Sequence, residues 1–332
     1  MDLPWHDIMK SIIPACAAAL LLFISTPGCA KKPEAAGRRK IAGMVFQEDQ
    51  FFRLVLFGMR DAASRGGADL LEANSEGKPD KEIQLINTYI ASGVDAIVVS
   101  PLSAKASVIA LGRARGKGIT IITYNTNVEG DIASSYVESD QTALGRSTGA
   151  AAREYIETHL GGRANIALLA FQSQAPEQST MRVNGFKEEI TKLPGVRIVA
   201  EQDAWLAEQA VRRGGDMLAA HADLDILWGA NEGATVGAVM AVKNAGKAGR
   251  VAVFGTDTGE QIAGFLLSDD GILQAVTGQQ PYEIGSRAVE SALDVLKGGR
   301  VDPKQSLPGV LLSRGDPEGV KKFAARLKEL NK

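Results

Sequence analysis

The residues in this chain that could do chemistry are amides, carboxylates and aromatic rings, each placed just after a short apolar run. Gln47, Glu48, Asp49, Gln50, Phe51 and Phe52 follow the first run, Ser100 a later one, and Tyr124, Asn125 and Thr126 another. In the second half the same positions hold Gln172-Ser173-Gln174, then Asp203 and Trp205, Asn231 and Glu232, Thr256 and Asp257, and finally Gln279. No nucleophile sits beside an obvious base. The set suits a molecule rich in hydroxyl groups. Planar Asn, Asp, Gln and Arg groups engage neighbouring hydroxyls in pairs. Phe and Trp faces cover apolar C–H patches. A plainer reading stands beside this one. Asn or Asp after a strand often only caps the next helix, and Phe51 and Phe52 suit a core equally well.

Two other motifs point to different chemistry. Gly145-Arg146-Ser147-Thr148-Gly149 spells a G-x-S-x-G hydrolase elbow, which would make the chain a serine hydrolase. That elbow needs a strand before it and a histidine nearby. Here it lies inside a helical pattern, and the histidines are His6, His159 and His221, the last two late in helices. The Gly112–Gly118 stretch lacks the spacing and terminal Ser or Thr of a phosphate loop. The expectation is therefore a binding protein, not an enzyme, with no cofactor and no metal.

The elements that must position these residues follow from the periodicity. Apolar runs at 41–46, 68–73, 94–99, 119–123, 134–138, 164–170, 196–201, 224–228, 250–254 and 272–277 read as strands with both faces buried. Helix-length segments separate them at 51–65, 79–92, 104–116, 142–159, 178–193, 206–221, 232–245 and 282–297. This alternation implies α/β architecture with parallel, doubly wound sheets. It also repeats: 40–46 is echoed at 163–171, 94–101 at 224–231, and 118–126 at 249–257. Two similar Rossmann-like domains follow. In open parallel sheets, ligands bind beyond the carboxyl ends of the strands, where the polar residues above fall.

The ends of the chain differ from its middle. Ile12 to Ile24 is apolar but shorter than the roughly 20 residues that span a bilayer, so 1–28 reads as an export signal. Cys29 follows Gly28 and resembles the lipid-accepting cysteine of a lipoprotein box, with 29–37 as a tether. Cys16 is the other cysteine, so no disulfide is expected in the exported protein. Residues 316–332 read as a terminal amphipathic helix, with Val320, Phe323, Leu327 and Leu330 on one face. A net charge of −2 offers no basic field for nucleic acid.

From about residue 38 to 315 the chain resembles the type I periplasmic sugar-binding proteins, the ribose-binding group and its relatives. The marks are Phe51-Phe52, Ser100-Pro101, Ser139-Asp140, Arg182 to Phe186, Asn231-Glu232, Asp257, and Gln279 before Pro281. The resemblance implies ligand contacts from Asp49, Phe51, Phe52, Ser100, Asn125, Arg182, Trp205, Asn231, Asp257 and Gln279. It implies a three-segment hinge near 139–140, 279–280 and 308–310. One domain would then be 38–139 with 280–308, and the other 140–279 with 309–315. Ser100, Asn125 and Thr126 depart from the ribose pattern, so a different pentose, a hexose or a polyol is equally expected. The implied setting is the periplasm or cell envelope, with membrane contact only through a lipid anchor. The implied partners are a small sugar or polyol and an ABC permease, the protein itself a monomer. Reporting ligand occupancy to a chemoreceptor or sensor kinase is the alternative; a sugar-responsive repressor is excluded by the leader and by the absence of a helix-turn-helix before Ile41.

Overall fold

The apolar runs of the sequence form two parallel sheets with helices on both faces. A computed structural model describes residues 37–330. In chain order the elements are β1 Lys40–Val45, α1 Gln50–Arg65, β2 Asp69–Asn74, α2 Pro79–Ser92, β3 Ala96–Val99, α3 Val108–Gly116, β4 Thr120–Tyr124, β5 Ser135–Ser139, α4 Gln141–His159, β6 Arg163–Ala170 and α5 Pro176–Ile190. They continue with β7 Gly195–Asp203, α6 Ala207–Ala220, β8 Ile226–Gly229, α7 Glu232–Asn244, β9 Ala252–Thr256, α8 Glu260–Leu267, β10 Leu273–Gly278, α9 Pro281–Leu296, β11 Lys304–Leu307, β12 Val310–Ser313 and α10 Pro317–Leu330. The expected leader, both cysteines and the expected tether up to residue 36 lie outside the described residues.

Strand order is β11-β5-β4-β3-β1-β2 in the first sheet and β12-β10-β9-β8-β6-β7 in the second. The two orders are the same, as the internal echoes predict. All pairings are parallel except β10 with β12. Successive residues of a strand point to opposite faces, and both faces are apolar. Ile41 and Val45 of β1 join one core with Val55 and Met59 of α1 and Ile284 of α9. Ala42 and Met44 join another, with Ile86 of α2 and Leu111 of α3. The second sheet repeats the arrangement. Leu169 and Leu227 face Val239 and Ile262, whereas Leu168 and Trp228 face Phe186 and Ile156.

The chain passes between the sheets at three places: from β5 into α4, from β10 into α9, and from β11 into β12. Two helix pairs make unusually close approaches. A Cβ on Gly58 of α1 would lie 1.9 Å from the Tyr282 carbonyl oxygen, and one on Gly285 of α9 would lie 2.0 Å from that of Val55. In the second lobe, Gly145 of α4 and Gly185 of α5 are equally tight against the Arg182 and Thr142 carbonyls, at 1.9 and 2.2 Å. Gly145 is the first glycine of the G-x-S-x-G motif. Its spacing therefore serves helix packing, and Ser147 stands within α4 rather than on a strand-to-helix elbow.

All ten predicted strands form, each within about two residues of the expected bounds. Three elements had no sequence signal. α8 is only eight residues long. β11 is polar (KQSL) and β12 has an exposed face, because each closes a sheet edge rather than a core. α3 begins at Val108, four residues later than expected.

Candidate functional site

The loops after β1, β3 and β4 of the first sheet meet those after β6, β8, β9 and β10 of the second. Asp49 follows β1 and caps α1: its Oδ1 accepts from the Phe52 amide at 2.9 Å. Its Oδ2 accepts from Gln47 Nε2. Phe52 is buried in the first-lobe core, 4.5 Å from the Phe46 ring centroid and 6.4 Å from that of Tyr124. Phe51 is half-buried and meets Phe52 edge-on at 5.2 Å. Ser100 follows β3, and its Oγ accepts from Asn125 Nδ2 at 3.2 Å. Asn125 follows β4 with φ of 58°, a left-handed conformation that Asn tolerates better than most residues. Tyr124 and Tyr136 close this corner. Burial raises the pKa of both hydroxyls, with Asp49 and Glu138 respectively adding negative charge nearby.

The second lobe contributes a network centred on Asp257. Its Oδ2 accepts from Arg182 Nη1 and from the Glu232 amide, each at 3.1 Å. Its Oδ1 accepts from Gln279 Nε2 at 2.9 Å. Arg182, on α5, is only 3% exposed. Its Nε donates to Gln141 Oε1 at 2.6 Å, and Nη1 also donates to the Ala230 carbonyl at 2.9 Å. The guanidinium lies 5.2 Å from the centroid of Phe171, whose ring in turn meets Trp205 at 5.6 Å. An unpaired buried guanidinium would be costly, and Asp257 supplies the countercharge. Nη2 has no hydrogen-bond partner among the described residues.

Asn231 is spoken for by the protein. Its Oδ1 caps α7 through the Ala234 amide at 3.1 Å, and its Nδ2 donates to the Trp205 carbonyl at 2.9 Å. The capping role weighed from sequence is thus the one in place at both Asn231 and Asp49.

The two clusters are neighbours. Gln178 Nε2 of α5 donates across to the Asn125 carbonyl at 3.5 Å, and Tyr136 donates to the same oxygen at 2.8 Å. A cavity of about 540 Å³ opens between the lobes, lined by Gln50, Arg53, Glu232, Glu260 and Gln261. It lies at the mouth, next to Asp257, and none of the ten residues expected from sequence lines it. The Glu232 side chain is exposed, yet surrounding protein pushes its carboxyl pKa up to about 7, with Asp257 and Asp49 adding like charge. Gln141, Phe171, Gln178 and Tyr136 were not foreseen. Each reaches the site through tertiary contact, and nothing in its local sequence marks it. No cluster of metal ligands occurs among the described residues.

Residues 43–300 match the family model for the periplasmic binding protein domain. The chain belongs to the type I periplasmic binding proteins. It is similar to the ABC transporter periplasmic-binding protein YphF of Escherichia coli K12, with 32% identity over 83% of this chain and 86% of that one. It is 27% identical to the D-allose-binding periplasmic protein of the same organism, over 76% of this chain and 82% of that one. Among solved structures, a solute-binding protein from Actinobacillus succinogenes with bound D-allose superposes with a TM-score of 0.76 at 25% identity, covering 85% of this chain and all of that one. A periplasmic ribose transporter protein from Conexibacter woesei shares the fold, with a TM-score of 0.78, 22% identity, 88% of this chain and 97% of that one. Its two α/β lobes are linked by the three passages of the chain described above. No helix among the described residues is long and apolar enough to cross a membrane.

Proposed function

We propose that this periplasmic binding protein captures a small sugar or polyol between its two lobes and delivers it to an ABC permease. The observation that carries this reading is the Asp257 network. It holds Arg182 rigid and desolvated, with Nη2 unused, against the ring of Phe171, which in turn meets the half-buried ring of Trp205. A fixed donor next to an apolar ring matches the alternating C–H and O–H surface of a sugar. Sugar-bound relatives support the same class.

In this reading Asp49, Phe51, Phe52, Ser100 and Asn125 serve the ligand from residues 38–139 with 280–308. Arg182, Trp205, Asn231, Asp257 and Gln279 serve it from 140–279 with 309–315. Asn231, Asp49 and Phe52 act chiefly by shaping the walls. The three passages bend as a hinge, and ligand favours closure because both lobes touch it only there. Export to the periplasm, lipidation at Cys29 and action as a monomer belong to the same proposal. The relatives named above are transporter components or solute-binding proteins, which does not favour the sensing alternative.

The test is a thermal-shift panel of pentoses, hexoses and polyols on the purified protein. A ligand present at 100 times its Kd stabilises by about 2.7 kcal/mol. One or more members should raise the melting temperature by several degrees; a flat response across the panel refutes the assignment.

A further inference from the structure

We propose that Glu232 sets the charge specificity of the cleft, admitting neutral and amino-bearing sugars while turning away their carboxylate and phosphate derivatives. The inference rests on the sugar-binding reading above and adds to it. Glu232 is the first residue of α7 and lines the cavity at the mouth, where it meets Gln50, the first residue of α1 in the other lobe. The two are brought to one spot by Gly259. A Cβ there would lie 3.0 Å from Glu232 Oε1 and 3.1 Å from Gln50 Oε1. Only glycine lets oxygens from both lobes close on this point, beside the cavity that both side chains line.

The Glu232 carboxyl has no hydrogen bond or ion pair among the described residues. The charged groups around it do not compensate it. From the α1 side come Asp49 and Arg53, from the β9–α8 turn Asp257, and from α5 Arg182, whose guanidinium is paired with Asp257. Glu232 thus sits among two further carboxylates, and Arg53 makes no ion pair with it. An ionised carboxylate only accepts hydrogen bonds. A hydroxyl or ammonium entering the cavity supplies the missing donor. A carboxylate or phosphate would set acceptor against acceptor and add like charge, the repulsive element on which specificity often depends. Desolvation raises the pKa of the Glu232 carboxyl, and the like charges of Asp257 and Asp49 add to the rise.

The experiment uses the purified chain and matched probes: D-ribose with ribose 5-phosphate, D-allose with allose 6-phosphate, D-galactose with galacturonate and galactosamine, and myo-inositol with its 1-phosphate. Affinities are measured by calorimetry near pH 8 for wild type, Glu232→Gln and Glu232→Asp. Wild type should bind a neutral member and reject its anionic partner. Glu232→Gln should shift the anionic-to-neutral affinity ratio by about tenfold or more towards the anion, and Glu232→Asp should restore much of the discrimination. In wild type the discrimination should also weaken at about pH 5.5, where Glu232 carries a proton. The assignment is overturned if wild type binds an anionic member as tightly as its neutral parent, or if Glu232→Gln leaves the ratio unchanged while neutral binding persists. Absence of binding by every neutral probe would instead overturn the sugar-binding reading, and this inference with it.

Discussion

Asn125 and Asp257 occupy the same place in the two halves of the molecule. Each is the first residue after the fourth strand of its lobe, and each has a positive φ, 58° and 69° respectively. Each amide donates to the neighbouring strand, Asn125 to the Val137 carbonyl at 3.0 Å and Asp257 to that of Thr277 at 2.9 Å. Left-handed backbone at non-glycine residues costs roughly 1–3 kcal/mol and persists where the surroundings over-determine it. Here it turns one polar side chain from each lobe onto the sheet edge that borders the cleft.

That geometry gives a stability prediction. Asn125→Gly should stay within about 1 kcal/mol of wild type, because glycine relieves the φ strain while the bond to Ser100 is lost. Asn125→Val should lose about 2–3 kcal/mol, since a β-branched residue fits the left-handed region poorly. Urea unfolding of the two variants checks the order; equal losses would show that the backbone conformation is not what constrains this position.

Arg182 carries the prediction for binding. Arg182→Ala should weaken the tightest sugar ligand by roughly 2–4 kcal/mol, for loss of charged hydrogen bonds to the ligand and of the rigid Asp257 network. Arg182→Lys should recover little, because one ammonium cannot serve Gln141, Ala230 and Asp257 in a planar fork. Calorimetry on variants whose circular dichroism matches wild type is the measurement. Near-normal affinity in both would remove Arg182 from the site.

The helix-packing glycines predict large losses at positions that look innocuous. Gly145→Ala forces a methyl to within 1.9 Å of the Arg182 carbonyl oxygen, so α4 and α5 must separate. The cost should be about 3 kcal/mol or more, a fall of at least about 6 °C in melting temperature. Ser147→Ala, two residues away in the same helix, should cost less than about 1 kcal/mol. Comparable losses for both would argue against the close contact.

The pH dependence follows from Glu232, whose carboxyl is raised from 4.5 to about 7. Between those values the folded protein holds a proton that the unfolded chain has released, so stability falls as pH rises through the window. Below it the group is neutral in both states, and above it the loss is complete. The side chain is exposed and its charge is screened by solvent, so the effect is well short of that of a fully buried carboxylate. Relative to Glu232→Gln, wild type should therefore be less stable at pH 8 than at pH 5. Parallel profiles for the two proteins between these values would refute the sign argument.

Much of the fold was legible in the residue order. Runs such as 94–99 and 224–228 are apolar on both faces, and only a strand covered by helices on each side satisfies that pattern. β11 and β12 lack this signature because each has only four residues and buries little of its surface, so 304–307 and 310–313 carry no run long enough to read. The site was legible in part. Asp257 and Gln279 stand out by their places after strands and Arg182 through the family resemblance, and the three meet. Gln141 and Phe171, which hold and cover the Arg182 guanidinium, carry no local mark.

The residue order by itself determined the two-fold repeat, the alternation of strand and helix, and the polar character of every loop at the carboxyl edges, because burial and periodicity act within a few residues. Only the tertiary structure decided how those loops are used. It assigned Asn231 and Asp49 to helix caps, Phe52 to the core and the G-x-S-x-G glycines to a helix crossing. It also brought Glu232 of one lobe against Gln50 of the other. These outcomes depend on contacts between residues far apart in the chain, where hydrogen-bond partners, available space and neighbouring charge are set by the packing of whole elements rather than by local sequence.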